Sequence, residues 1–219
     1  MLSYLPYALS SYAADIDGVI RYIYIICGAW LLLSEVVLFA LVWAGRGRAT
    51  AGWVPGTSWK AASWVLGPVV LVMVCDFAIE ADAVPVWEDV KINLPESDFH
   101  VKITGRQFAW VYAYPGADGQ LNTPDDIVAN ELHVPVGKPV RFHLEAADVL
   151  HAFYVPELRL KQDAVPGRSI EGWFDANREG TYEVACAEIC GKGHTRMAST
   201  LIVSSQADVD SWLQHQGIQ

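Results

Sequence analysis

Two long apolar runs open the chain, and short alternating ones fill the rest. Tyr22 to Ala44 spans 23 positions with a single acid, Glu35. At about 1.5 Å per helical residue it is long enough to cross a hydrocarbon core of roughly 30 Å. A second run, Ala61 to Ile79, is interrupted only by Asp76 near its end. It carries Gly67 and Pro68, which a membrane helix tolerates where neighbouring helices satisfy the freed backbone groups. The pattern predicts a two-helix transmembrane hairpin. The competing reading, two buried helices of a soluble domain, lacks the polar face an amphipathic core helix needs.

The connection between the runs, Gly45 to Lys60, carries Arg46, Arg48 and Lys60 and no acid. Positive charge marks the cytoplasmic side, so both termini are expected on the periplasmic or outer side of an integral membrane protein. The start of the chain lacks the basic residues of a secretory signal, and the first run is too long for a signal core, which predicts an uncleaved anchor. The expected division is 1–18 as an N-terminal external segment, 19–83 as the hairpin and 84–219 as an external domain.

From Val84 onward, short runs rich in Val, Ile, Thr and aromatics alternate with turn residues, which reads as strands. They are expected near Phe99–Thr104, Gln107–Tyr114, Glu131–Pro135, Val140–Glu145, Leu150–Val155, Ser169–Asp175, Thr181–Cys186 and Ser199–Val203, followed by a short helix over Gln206–His215. Pro115 to Asp126 is a turn-rich loop, and Pro166-Gly167 and Glu179-Gly180 supply two more reversals. Eight short strands predict a mostly-β Greek-key sandwich or barrel.

Composition narrows the function. The chain of 219 residues is 53% hydrophobic with a net charge of −10, which excludes a disordered chain and argues against a nucleic-acid partner. Of the four cysteines, Cys27 and Cys75 lie in the apolar runs, leaving Cys186 and Cys190 free to cooperate. They sit in Cys186-Ala187-Glu188-Ile189-Cys190-Gly191-Lys192-Gly193-His194-Thr195-Arg196-Met197, which places two thiols, an imidazole and a thioether within one turn-rich segment. Soft sulfur with imidazole selects copper, zinc or iron, and the methionine leans the set toward copper. His151 is the candidate to complete it. A Cys186–Cys190 disulfide and a structural zinc site of both cysteines with His151 and His194 remain open on these residues alone. A mononuclear blue-copper site would leave one cysteine unexplained, and the surplus thiolate suggests a second copper.

The chain resembles subunit II of haem–copper oxidases, the cytochrome c oxidase family, over nearly its full length. The resemblance rests on the hairpin, Gly105-Arg106-Gln107-Phe108-Ala109-Trp110-Val111-Tyr112-Ala113-Tyr114, Asp148-Val149-Leu150-His151, Leu160 to Arg168, and Cys186 to Met197. It implies that the external domain is a cupredoxin holding a binuclear copper centre, CuA. Cys186 and Cys190 would bridge both coppers, His151 and His194 would each bind one, Met197 would be a weak ligand, and the Glu188 carbonyl would serve the other copper. The Glu188 carboxylate would face a magnesium site shared with the catalytic subunit. The resemblance further implies an electron-entry subunit, not catalytic alone. It would take electrons from a c-type cytochrome or another periplasmic donor and pass them to haem in a membrane-embedded subunit I, which reduces O₂. In a bacterium the setting is the cytoplasmic membrane, with lipid around the hairpin.

Two positions depart from the family. Phe108 stands where the family usually carries the tryptophan through which electrons enter, while Trp110 is retained; both are electron-entry candidates. Ala61 stands where many members have a glutamate near a proton entrance. The second departure keeps a nitric oxide reductase of the same superfamily as an alternative. A membrane-tethered copper carrier or assembly protein is a further one, against which the Leu160–Arg168 segment speaks. Glu35 within the first run is either a functional group or a helix-to-helix hydrogen bonder, and Asp76 is expected to snorkel or pair. His100, His133, His143 and His215 lack ligand context. Asp148 is either a local hydrogen-bonding residue or part of an acidic docking rim. From Val84 onward there are 11 basic and 19 acidic residues, a balance that predicts fast encounter with a basic donor.

Overall fold

The computed structural model describes residues 6–50, 52–53 and 55–216; residues 1–5 of the expected external segment and 217–219 of the expected outer domain lie outside this range. Helix α1 runs Ala13–Gly45 and α2 runs Trp59–Trp87, continuing as a π-helical turn over Glu88–Ile92. Both contain the expected apolar runs and extend past them, because the polar flanks Asp15, Asp17 and Arg21, and Glu80 and Asp82, continue the helix outside the apolar stretch. The Ser58 hydroxyl accepts the Ala61 amide at 3.2 Å and starts α2. Pro68 and Pro85 lie inside α2 without ending it. Both helices are long and apolar enough to cross a membrane, and neither apolar stretch is buried within the chain. That fits anchoring in a membrane and leaves the soluble-helix reading without a core to support it.

The rest of the chain is a β-sandwich with a closing helix, α3 (Gln206–Gln216). Its strands are β1 (His100–Arg106), β2 (Ala109–Tyr114), β3 (Ile127–Ala129), β4 (Leu132–Pro135), β5 (Val140–Ala146), β6 (His151–Val155), β7 (Leu160–Ala164), β8 (Ile170–Phe174), β9 (Gly180–Cys186) and β10 (Ala198–Ser204). One sheet has the order β3-β2-β1-β5-β8 and the other β4-β10-β9-β6-β7. Each holds one parallel pair, β1 with β5 and β4 with β10, among antiparallel ones. This is the expected mostly-β sandwich, built from two five-stranded sheets. Eight of the ten strands coincide with expected ones. The unexpected pair, β3 and β7, are both edge strands with one neighbour each, and β7 reads Leu-Lys-Gln-Asp-Ala, too polar to show an alternating face.

Alternating burial in β1, β2 and β5 aims Ile103, Trp110, Tyr112, Phe142 and Leu144 inward, against Phe153, Val184 and Leu201 of the facing sheet. Phe153 sits edge-on to Trp110 at 5.4 Å between centroids. Gly172 on β8 faces the Phe142 ring so closely that any Cβ there would overlap it.

The segment before α1 belongs to the sandwich unit. Leu9 and Ala13 are fully buried, and Tyr12 packs edge-on against Trp173 at 5.3 Å. Leu9 donates to the Glu157 carbonyl (2.8 Å), and the Leu9 carbonyl accepts from Asn177 (2.9 Å). Ser11 donates its amide (2.8 Å) and hydroxyl (3.0 Å) to Asp175. The described part of 1–18 is therefore partly core and partly the first turns of α1. Glu88–Ile92 also belongs to this unit, with Trp173 donating to the Asp89 carbonyl and Lys91 to Gln162.

Candidate metal centre

Four neighbouring pieces of backbone carry the ligand types. β6 begins at His151, β9 ends at Cys186, and a loop leads through Cys190 to a 3₁₀ turn, His194–Arg196, with Met197 just before β10. Antiparallel pairing of β6 with β9 sets Phe153 opposite Cys186, which brings the start of β6 beside the end of β9. The loop is closed at its base: Cys186 donates to the Met197 carbonyl (3.1 Å) and Ala187 to the Ala152 carbonyl (3.0 Å). Inside it, His194 donates to Gly191 and Met197 to His194, each at 3.1 Å.

These constraints gather the donor atoms. Cys186 Sγ lies 3.8 Å from His151 Nδ1, 3.8 Å from Cys190 Sγ and 3.2 Å from the Glu188 carbonyl. Cys190 Sγ lies 3.6 Å from His194 Nδ1 and 3.7 Å from Met197 Sδ. His151, Cys186 and Cys190 present ligand atoms all within 4.8 Å of one another. His151 is fully buried, Cys186, Cys190 and Met197 are buried, and His194 is partly exposed. Both cysteines are free thiols. Burial, with the Cys186 thiol beside it, pushes the Cys190 thiol up to about 11. Two adjacent thiolates in a buried pocket need a cation to hold them deprotonated.

The donor set tests which ion fits. A tetrahedral structural zinc is satisfied by four ligands, whereas two sulfurs, two imidazole nitrogens, a thioether and a carbonyl converge here. The soft sulfur, the imidazoles and the thioether are a set that could bind copper.

Asp148 resolves as a local hydrogen bonder. Its Oδ1 accepts from the Val149 amide (2.7 Å) and contacts His151 Nε2 (2.8 Å), and its Oδ2 accepts from the Gln107 amide (2.7 Å). Burial alone would raise its carboxyl, but these hydrogen bonds outweigh it and hold the group below the usual carboxylate range. Carboxylate on Nε2 leaves the proton there and frees Nδ1 to face the sulfurs. Gln107, which the sequence did not single out, adds a second tie by donating its side-chain amide to the Cys190 carbonyl at 2.5 Å.

The two aromatic candidates separate. Trp110 is buried under His151, with ring centroids 6.0 Å apart. Phe108 is 39% exposed and its ring lies over Gly191 and Gly193; a Cβ at Gly193 would overlap the ring. The Gly-Lys-Gly spacing in the loop was the signal for that packing. Glu188 turns its carbonyl to Cys186, and its carboxylate has no hydrogen bond or ion pair among the described residues. The other histidines are engaged elsewhere: His100 with the Ser97 carbonyl, His133 stacked on Trp212, His143 near Glu171 and His215 with the Ser211 carbonyl.

Comparison with known proteins finds similar sequences of one kind. The family described as cytochrome c oxidase subunit II, periplasmic domain, matches residues 99–205. The alternative cytochrome c oxidase subunit 2 of Bradyrhizobium diazoefficiens is 37% identical over 162 residues, covering 64% of this chain and 58% of that one. Cytochrome c oxidase subunit 2 of Cereibacter sphaeroides is 29% identical over 239 residues, 94% of this chain and 77% of that one. A crystal structure of the periplasmic domain of subunit II of cytochrome oxidase (CoxB) of Bradyrhizobium japonicum is 36% identical, with a TM-score of 0.49, covering 56% of this chain and 96% of that one. The chain thus spans about three fifths of the length of the Bradyrhizobium diazoefficiens relative. Residues 99–205 thus match the periplasmic-domain family of cytochrome c oxidase subunit II, and the chain is similar to the subunit 2 proteins of these bacteria.

Proposed function

We propose that this chain is the electron-entry subunit of a membrane haem–copper terminal oxidase, accepting electrons from a periplasmic donor and passing them to haem in a catalytic subunit that reduces O₂. The observation that carries this reading is the convergence of four further donors on two adjacent thiols. Cys186, Cys190, His151, His194, Met197 and the Glu188 carbonyl are the residues that would hold a binuclear copper centre. When bound, such a centre would supply one-electron exchange.

The chain's own residues prepare this. The buried thiols and Met197 exclude water, the closed loop fixes the sulfur separation, and Asp148 keeps the His151 proton on Nε2. A rigid first set of ligands limits the rearrangement an electron must drive. Exposed Phe108, over the loop, is the entry candidate, and buried Trp110 is packing beneath His151. Charge in the 45–60 loop supports a cytoplasmic turn and a periplasmic sandwich. The unpaired Glu188 carboxylate is available for a magnesium ion shared with the catalytic subunit, and Leu160–Arg168 and the hairpin are the contact surfaces toward it. The burial of the ligands also argues against an exchange-ready copper carrier.

The test is O₂ uptake by the intact complex, purified through this subunit and supplied with reduced c-type cytochrome. Rapid uptake, lost in His194→Ala, is the expected result. In the same preparation Cys190→Ser is expected to abolish the mixed-valence copper signal. A copper-loaded, haem-containing complex that reduces NO and not O₂ would replace the acceptor, a reading that Ala61 at the family's glutamate position favours.

A further inference from the structure

Glu35 is the single ionisable residue of the first apolar run, Tyr22 to Ala44. It stands thirteen residues after Tyr22 and nine before Ala44, which places it about 20 Å from one end of the run and about 14 Å from the other. The two methylenes of a glutamate bridge neither distance. Asp76, three residues before the end of the second run, is within about 5 Å of that end. The Ser34 hydroxyl beside Glu35 is satisfied inside the helix, donating to the Leu31 carbonyl at 2.8 Å. The Glu35 side chain is exposed and has no hydrogen bond or ion pair among the described residues. In hydrocarbon no water replaces a missing partner, and ionisable groups at that depth face protein or a water-filled cavity.

The second helix does not supply the partner. An apolar groove between the helices is lined from α1 by Ile26, Trp30 and Leu33, among others, and from α2 by Leu71 and Cys75. At 3.6 residues per turn, Glu35 lies about two and a half turns past Ile26 and about half a turn past Leu33, so it projects from the far side of α1. Leu31 and Phe39, about one turn before and after it, share that side and are 60% and 69% exposed. A second copy of the chain does not supply the partner either. Two copies related by an axis along the membrane normal carry Glu35 at the same depth, so acid would meet acid. Acyl chains offer no hydrogen bond. What complements this face is a different membrane chain that brings a polar group to the middle of the bilayer.

We infer that the face of α1 carrying Glu35 docks on a transmembrane helix of the catalytic subunit, and that the Glu35 carboxyl hydrogen-bonds there to a polar side chain. The inference rests on the electron-entry reading, which supplies that subunit, and specifies where on the hairpin it is gripped.

The experiment uses the intact complex purified through this subunit. A photo-crosslinking phenylalanine analogue placed at Leu31 or at Phe39 is expected to link to the catalytic subunit, and one placed at Leu33 to link to α2. The haem-to-copper ratio after a detergent challenge reads the hydrogen bond. Glu35→Leu is expected to lower it by about threefold to tenfold, with the copper absorption spectrum retained, and Glu35→Gln, which still hydrogen-bonds, to keep it within about twofold of the parent. Links from Leu31 and Phe39 to lipid alone or to a second copy of this chain overturn the inference. So does a parent-like ratio in Glu35→Leu, or a loss in Glu35→Gln as large as in Glu35→Leu. A parent preparation that holds copper but no haem brings down the electron-entry reading and the inference with it; one that holds haem while the Leu31 and Phe39 probes reach only lipid brings down the inference alone.

Discussion

Asp148→Asn isolates one role inside the site, because the change is nearly isosteric and removes only a charge and an acceptor. Three N–H groups converge on this carboxylate, from Gln107 and Val149 at 2.7 Å each and from His151 at 2.8 Å. An asparagine has one acceptor oxygen. If that oxygen stays toward Val149 and His151, the amide nitrogen meets the Gln107 N–H, and one hydrogen bond to a charged group is lost, costing about 1 to 2 kcal/mol at this partly exposed position. If the amide turns the other way, its nitrogen meets His151 Nε2 and drives the proton to Nδ1, the atom facing Cys186. The first arrangement is cheaper, but it no longer presents a full negative charge to the imidazole. Loss of such a carboxylate behind a ligand histidine lowers metal affinity by about 10 to 100-fold. Copper competition against a chelator, together with denaturant unfolding of the copper-free full-length chain in detergent, reads both effects. Parent-like copper affinity combined with parent-like stability would refute the assignment of Asp148 as the residue that fixes His151.

Three further outcomes follow from the packing. Gly193→Ala places a methyl against the Phe108 ring and is expected to cost about 1 to 3 kcal/mol; Phe108→Ala in the same chain should recover part of that loss in denaturant unfolding. Tyr12→Ala removes a buried ring packed on Trp173 and is expected to cost about 3 kcal/mol, seen as a lower unfolding midpoint with an unchanged copper spectrum. Burial works against ionisation of Glu145, but Lys102 at 2.9 Å and the Ser169 hydroxyl outweigh it and keep its carboxyl below the usual value. Its contribution is therefore complete above the unfolded carboxyl value of about 4.3 and disappears as pH falls through the lower folded value. The stability gap between the parent and Glu145→Gln should close on acidification between about pH 5 and pH 3.

The sequence exposes most readily what recurs at short range. Cys186, Cys190, His194 and Met197 lie in one loop, so their spacing alone reveals a soft-metal site, and the inward alternation of β1, β2 and β5 reveals the sandwich. What depends on distant pairing is harder to see. Asp148 could be local or a docking charge until its carboxylate was found between the Gln107 amide and His151. Gln107 itself has no distinguishing pattern, because its role is a hydrogen bond to Cys190, 83 positions away. Trp110 and Phe108 looked alike as aromatic candidates, and only burial separates them. β3 and β7 were missed because edge strands need only one ladder and tolerate polar residues on both faces. Residues 6–14 were read only as part of an external segment, since a few apolar positions without a period carry no signal until Trp173 and Asp175 are beside them.

That segment makes the sandwich discontinuous. Leu9, Ser10 and Ser11 find their partners at Glu157, Leu158 and Asp175, with the whole of residues 15–87 assigned to a separate unit between them. Closing a loop of about 150 residues costs on the order of 4 kcal/mol in chain entropy beyond a constant. The segment before the hairpin must therefore wait for residues far beyond it, and this layer of the core can be laid down only after those strands have been made. A gene fragment cut at the end of the hairpin would encode every donor of the sulfur–imidazole cluster yet leave Trp173 uncovered by Tyr12. The natural excision boundary suggested by the apolar runs is thus not a boundary of cooperativity.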